Sequence, residues 1–141
     1  MELYAEVKNN DRTYLSLYYD PAKKLYYNDW VGFVNKDQVI QGCLKGLQLV
    51  EQKNYPYMLN DNSNLTGPWA QANEWIATEW MPRAIGADLK YFAHILSPNI
   101  FAQLSAQQME MNANGFHMKS FENIEAGKRW LEEMRQKELV H

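Results

Sequence analysis

Two hydrophobic periods divide this chain. Residues 13–19 alternate, with Leu15, Leu17 and Tyr19 on one face, and residues 24–33 are dense in aromatic and aliphatic side chains. Both runs read as strands. The turn Asp20-Pro21-Ala22-Lys23 between them makes a hairpin, because proline presets φ for a reversal. Residues 2–7 add an earlier short strand that returns through Lys8-Asn9-Asn10-Asp11. The period then becomes helical. Val39, Ile40, Cys43, Leu44, Leu47 and Val50 form one apolar stripe, with Asn35 as N-cap and Gln38 completing a capping box.

The second half repeats a helix–strand order. Residues 55–59 form a short strand, and Asn60-Asp61-Asn62-Ser63-Asn64 reads as a loop, since these side chains favour turns and caps. Thr66-Gly67-Pro68 opens a helix carrying Trp69, Ala72, Ile76 and Trp80 on one stripe. Pro82 kinks or restarts it, and Gly86 ends it. Residues 89–96 are a nearly continuous apolar run, as in a strand covered on both faces. Ser97 and Pro98 then start a helix as N-cap and first residue, and Asn114-Gly115 ends it. A strand over 116–121 and a helix over 123–137 close the chain. This alternation implies an α/β fold. An N-terminal antiparallel hairpin precedes repeated helix–strand units, whose strands are parallel and joined by right-handed crossovers, and a C-terminal helix follows. With 141 residues, no internal repeat and no linker, residues 1–141 form a single domain.

Composition narrows the function classes. The chain is 46% hydrophobic and 22% charged, which suits a globular domain. A net charge of −3 gives no basic excess for nucleic-acid phosphates. The amino end lacks the pattern of a signal peptide, and no apolar run is long enough to span a membrane, so the expectation is a cytoplasmic protein without a membrane span. One cysteine excludes an internal disulfide. The aromatic share is 13%, and most of these rings are assigned to the core. Trp75, Tyr18 and Tyr26 are left as candidate surface rings.

Little in the sequence carries catalytic chemistry. His94, His117 and His141 lack metal-ligand spacing, and His94 reads as a hydrogen-bonded structural histidine. Cys43 falls on the apolar stripe of the first helix and reads as a core thiol. Glu74 and Glu79 are five residues apart and do not share a helix face. No serine elbow or glycine-rich phosphate loop occurs. The expectation is therefore a non-enzyme with no cofactor and no metal. Functional loops of open α/β sheets gather beyond the carboxyl ends of parallel strands. That places Asp61, Ser63, Thr66 and Gly67 in a candidate partner loop, with Ser97 and Asn99 beside it. Ser63 and Thr66 are candidate phosphorylation positions, since a helix N-terminus favours a phosphate. Trp75 and Arg83 form a second candidate contact patch.

The run Asn73-Glu74-Trp75-Ile76-Ala77-Thr78-Glu79-Trp80-Met81-Pro82-Arg83-Ala84 resembles the tryptophan–proline helix of the STAS/SEC14-like (SpoIIAA-like) family of small bacterial proteins. Leu89-Lys90-Tyr91-Phe92-Ala93, Phe101-Ala102-Gln103-Leu104-Ser105 and Trp130-Leu131 are similar to that family too, so the resemblance covers nearly the whole chain. It implies a STAS-like mixed sheet and a regulatory, protein-binding role like that of anti-sigma-factor antagonists, switched by phosphorylation in the 60–69 loop. Those domains carry an Asp-Ser-Ser-Gly turn. Here only Asp61 and Thr66-Gly67 approach it. The SEC14 side of the resemblance implies an alternative, a carrier of a small apolar ligand or lipid in a cavity lined by rings such as Tyr57, Trp69, Phe92 and Phe101. The expected partner is another protein, with a homodimer also open.

Overall fold

The computed structural model describes residues 1–140 and shows a six-stranded mixed sheet flanked by helices. The strands β1 (Glu2–Asn9), β2 (Arg12–Asp20), β3 (Leu25–Gly32), β4 (Tyr57–Leu65), β5 (Tyr91–Ile95) and β6 (His117–Phe121) lie side by side in chain order. The pairs β1–β2 and β2–β3 are antiparallel, and β3–β4, β4–β5 and β5–β6 are parallel. The opening element is thus a three-stranded meander, the β2–β3 hairpin with the earlier strand of residues 2–7 paired to it as β1.

Both turns of the meander are chemically specified. Asn10 takes a φ of 55° between β1 and β2, a conformation asparagine tolerates well. The Asp20 carboxylate accepts bonds from the backbone N–H groups of Ala22 and Lys23, and Lys24 closes the turn at φ 54°. Helix α1 (Lys36–Lys53) begins with the Asn35–Gln38 capping box read from the sequence and ends on Asn54 at φ 57°.

The alternation of side chains divides the core in two. On one sheet face Leu15, Leu17, Tyr26, Trp30, Met58 and Phe92 pack beneath α1 and the helical segment 70–86. On the other, Leu25, Tyr57, Leu59, Ala93 and Ile95 pack against Leu131 of α5 (Ile124–Val140). Tyr26, expected at the surface, is fully buried. It lies on the α1 face, where its hydroxyl donates to the Val50 carbonyl and accepts from the Tyr55 N–H. Two glycines permit the close approach of helix to sheet. A Cβ on Gly42 of α1 would lie 2.6 Å from the Trp30 ring, and one on Gly127 of α5 would lie 2.6 Å from Ile95 Cδ1.

Three local expectations fail. First, 60–64 is not a loop: β4 runs on through it to Leu65, paired with β5 as far as Asp61 and with β3 as far as Asp61 and again at Asn64 and Leu65, across a register shift at Asn62–Ser63. The turn-favouring side chains bond to one another, which leaves the backbone in the ladder. Second, the helix after Pro68 starts late, as a 3-10 turn (Ala70–Ala72) followed by α2 (Asn73–Trp75). A π turn (Ile76–Trp80) then leads into α3 (Met81–Gly86), with Pro82 in its first turn. Pro82 lacks an N–H and its ring crowds the preceding turn, and widening the helix there absorbs the defect. Third, α4 (Ile100–Asn112) is capped by Asn99, whose side chain accepts from the Phe101 and Ala102 N–H groups. Ser97 is not the cap, because its hydroxyl donates to the Leu65 carbonyl at 2.7 Å.

Candidate functional site

The dipeptide Asn–Asp occurs in β3 as Asn28-Asp29 and in β4 as Asn60-Asp61, and the parallel register sets the two copies side by side. The period of a strand then sends both asparagines to one face and both aspartates to the other. Two polar layers therefore cross the middle of the sheet, where burial is costly unless each group is paired.

On the α1 face, Asn60 Oδ1 accepts from Trp30 Nε1 at 2.9 Å and from Asn28 Nδ2 at 3.3 Å. Its amide nitrogen donates to Asn62 Oδ1 and faces His94 Nδ1 at 3.3 Å. The Trp30 N–H fixes which way the Asn60 amide points. His94 Nδ1 is therefore the acceptor and the ring proton lies on Nε2. His94 is 1% exposed, and burial pushes its pKa from 6.5 to about 4, against the opposing pull of the Asp61 charge. The ring is neutral at neutral pH. The Trp69 ring lies against it, with centroids 6.0 Å apart. The Trp69 backbone N–H and the Asn73 side chain are both tied to Ser105 of α4. His94 Nε2, Trp69 Nε1 and Asn73 Oδ1 have no hydrogen-bond partner in the protein. A cavity of about 50 Å³ adjoins this row, with Asn28, Asn60 and Asn62 on one side and Trp69, Trp80 and Phe92 on another. Of the four rings expected in a ligand cavity, Trp69 and Phe92 line it. Tyr57 faces α5 on the other side of the sheet, and Phe101 points outward. Cys43 also borders the cavity, and burial pushes its thiol up to about 12, so it is no nucleophile at neutral pH.

On the α5 face, Asp61 accepts from the Tyr27 hydroxyl at 2.7 Å and from the N–H and hydroxyl of Ser63 at 2.9 and 2.6 Å. Asp29 Oδ1 has no partner. Burial first, and then the neighbouring Asp61 charge, raise the Asp29 pKa, and Asn64 opposes the shift through a hydrogen bond. The Tyr27 phenol is raised as well, by burial and then by its bond to Asp61. Asp29, Asn28 and Asn60 were not singled out from the sequence. The repeated Asn–Asp dipeptide was the available signal, and the register that gives it meaning is long-range.

The residues expected at the site are partly brought together. Asp61 and Ser63 bond to each other, but both belong to β4, and Asp61 is buried. Thr66 is exposed; its N–H donates to the Gly32 carbonyl, and its carbonyl accepts from Asn99 Nδ2. Gly67 is buried beneath the Phe33 ring, which a Cβ there would meet at 2.8 Å. Ser97, expected at the surface, is 2% exposed and joins the start of α4 to the end of β4. Trp75 is half-buried and packs on the α1-side core. Arg83 pairs with Glu51 at 2.8 Å. Glu51 is in the last turns of α1, at the opposite end of the sheet from Thr66, so the Trp75–Arg83 patch and the 61–67 segment are separate.

The carboxyl end of the parallel strands also carries exposed apolar side chains. Phe33 covers Gly67, with Val31 exposed nearby in the chain at the end of β3, and the first turns of α4 present Ile100, Phe101 and Leu104. Phe33 is 58% and Phe101 60% exposed. The Asn99–Thr66 hydrogen bond joins the two halves of this patch. A wider groove of about 240 Å³ lies between the β2–β3 turn and α5; in its lining Glu132 pairs with Arg135 and Asp20 accepts from the turn's N–H groups, beside Lys23 and Lys128. Among the described residues, no three His, Cys, Asp or Glu side chains gather to hold a metal, and no helix is long and apolar enough to cross a membrane. Compared with models of known protein families, with curated proteins and with solved structures, the chain finds no match.

Proposed function

We propose that this protein is a non-catalytic, cytoplasmic regulatory domain of the STAS/SpoIIAA-like kind, which binds another protein through the carboxyl end of its parallel strands. The apolar patch at that end carries the reading. Large side chains exposed together around one connection are characteristic of contact surfaces; here Phe33 lies over Gly67, and the Asn99–Thr66 bond brings the first turns of α4, with Ile100, Phe101 and Leu104 exposed, to the same connection. Thr66 is the position for a phosphate switch. Its side chain is exposed within the patch, whereas the Ser63 hydroxyl is held 2.6 Å from the Asp61 carboxylate, where a phosphate meets a like charge. A phosphate on Thr66 puts about two negative charges in an apolar contact and weakens it. Affinity capture with wild type, Phe33→Arg and Thr66→Glu, all checked for an unchanged circular dichroism spectrum, tests this. A protein held by wild type, lost from Phe33→Arg and weakened by Thr66→Glu is expected. The same proteins on all three chains overturn the reading.

The cavity beside Asn60 favours a second reading, binding of a small apolar ligand. At about 50 Å³ it takes a group of a few heavy atoms and not an acyl chain. The unpaired Trp69 N–H in the lining selects a ligand bearing one hydrogen-bond acceptor. Thermal-shift screening of short ketones, amides and alcohols, repeated on Trp69→Phe, tests it; no shift with any of them excludes it.

A further inference from the structure

Helix α4 has its apolar side chains inverted. Toward the sheet it turns Ala102, Ser105, Ala106 and Met109, three of them small, and all four are buried. Toward solvent it turns Ile100, Phe101, Leu104 and Met111, with Gln107 and Gln108 between them. At about 100° per residue these six span one continuous face. Met111 is 85% exposed. A helix that is apolar on both sides belongs inside a structure, and α4 is covered on one side only.

The chemistry of that face selects its occupant. From Ile100 to Met109 the helix has no charged residue. An anionic membrane is recognised by lysine and arginine flanking an apolar stripe, and α4 has neither. Unlike partners usually find each other through complementary charge, and this face offers none. A second copy of the chain has no such requirement. About a two-fold axis each residue meets itself or its near neighbours, so an uncharged face is self-complementary and a charged one repels itself. The size also fits. The exposed parts of Ile100, Phe101, Leu104 and Met111 amount to roughly 500 Å², which the flanking glutamines carry toward the ~800 Å² per partner of a stable interface.

We propose that the protein forms a two-fold dimer in which α4 packs antiparallel against α4 of a second copy. Leu104, Gln107 and Gln108 lie near the axis, and Ile100 of each copy meets Met111 of the other. The proposal rests on reading the apolar end as a contact face and names the occupant of its α4 part. It leaves the two Phe33–Thr66 rims at opposite ends of the helix pair, one beside each α4 N-terminus and each open to a further partner.

Sedimentation equilibrium and light scattering over ~1–200 µM test the proposal. Wild type is expected at twice the 16.6 kDa chain mass. Leu104→Arg and Met111→Glu, both on the outer face, are expected to run as monomers with an unchanged spectrum, a loss of self-affinity of ~100-fold or more. A wild type that stays monomeric across the range overturns the proposal, and so does a dimer that persists in the Leu104→Arg, Met111→Glu double variant. Phe33→Arg separates this result from the broader reading. If wild type is monomeric yet holds a partner that Phe33→Arg loses, the contact face stands and the second copy does not.

Discussion

Asn60 makes four side-chain hydrogen-bond contacts, to Trp30, Asn28, Asn62 and His94, so that one amide pairs a polar atom on each of four neighbours. Such networks are costly when incomplete, and this one ends on His94 Nε2, which has no partner. The consequence is a pH dependence whose sign can be worked out. The His94 pKa falls from 6.5 to about 4 on folding, so between those values the unfolded chain binds a proton that the folded chain refuses. The His94 contribution is complete above about pH 6.5 and is lost as pH falls through that window, by up to ~3 kcal/mol. Urea titrations from pH 7 to 4 should show this slope, and His94→Gln should flatten it. Asp29 acts in the other direction. Its raised pKa makes the folded chain bind a proton more readily, so its ionisation costs stability as pH rises through the folded value. Asp29→Asn mimics the protonated form. It should raise the melting temperature by a few degrees at pH 7, with the gain shrinking as the pH is lowered, by differential scanning calorimetry.

At the scale of elements, β4 and α4 depart most from their local sequences. Asn60-Asp61-Asn62-Ser63-Asn64 has the composition of a turn, yet it is strand, because β3 and β5 pair with β4 on either side at Asn60 and Asp61, β3 pairs again at Asn64, and the polar side chains bond among themselves. Local propensity is worth tenths of a kcal/mol per residue and gives way to two flanking ladders. The start of α4 was misplaced for a related reason. Ser97-Pro98 has the form of a cap, but the Ser97 hydroxyl is already committed to the Leu65 carbonyl, and Asn99 caps instead. By contrast, the Asn35–Gln38 box was legible because both partners lie within one helical turn. Helix α5 depends on a missing side chain. A Cβ on Gly127 lies 2.6 Å from Ile95 Cδ1 and 3.1 Å from Leu59 Cδ1, both in the core. Gly127→Val should push α5 off the sheet and cost about 1–3 kcal/mol in denaturant unfolding. Gly86→Ala, with nothing within 4 Å of the new Cβ, is the control.

Over the whole molecule, one sheet separates two cores; the buried polar row and the small cavity lie at its middle, and the exposed apolar patch lies at the carboxyl end of its parallel strands. The order of elements, the antiparallel start and the later parallel strands could be read from the sequence, because the change from alternating to helical periodicity is local and each period follows from backbone geometry. The amino acids also determined the caps closed within a turn and the reversal at Pro21. Only the tertiary structure decided that two Asn–Asp dipeptides lie in register. It likewise buried Tyr26 and Ser97, and it gave α4 its small residues to the sheet and its large ones to solvent. Each of these depends on pairing between residues roughly thirty positions apart or on which helix covers which face. Those distances are set by the assembled sheet, which no local pattern encodes.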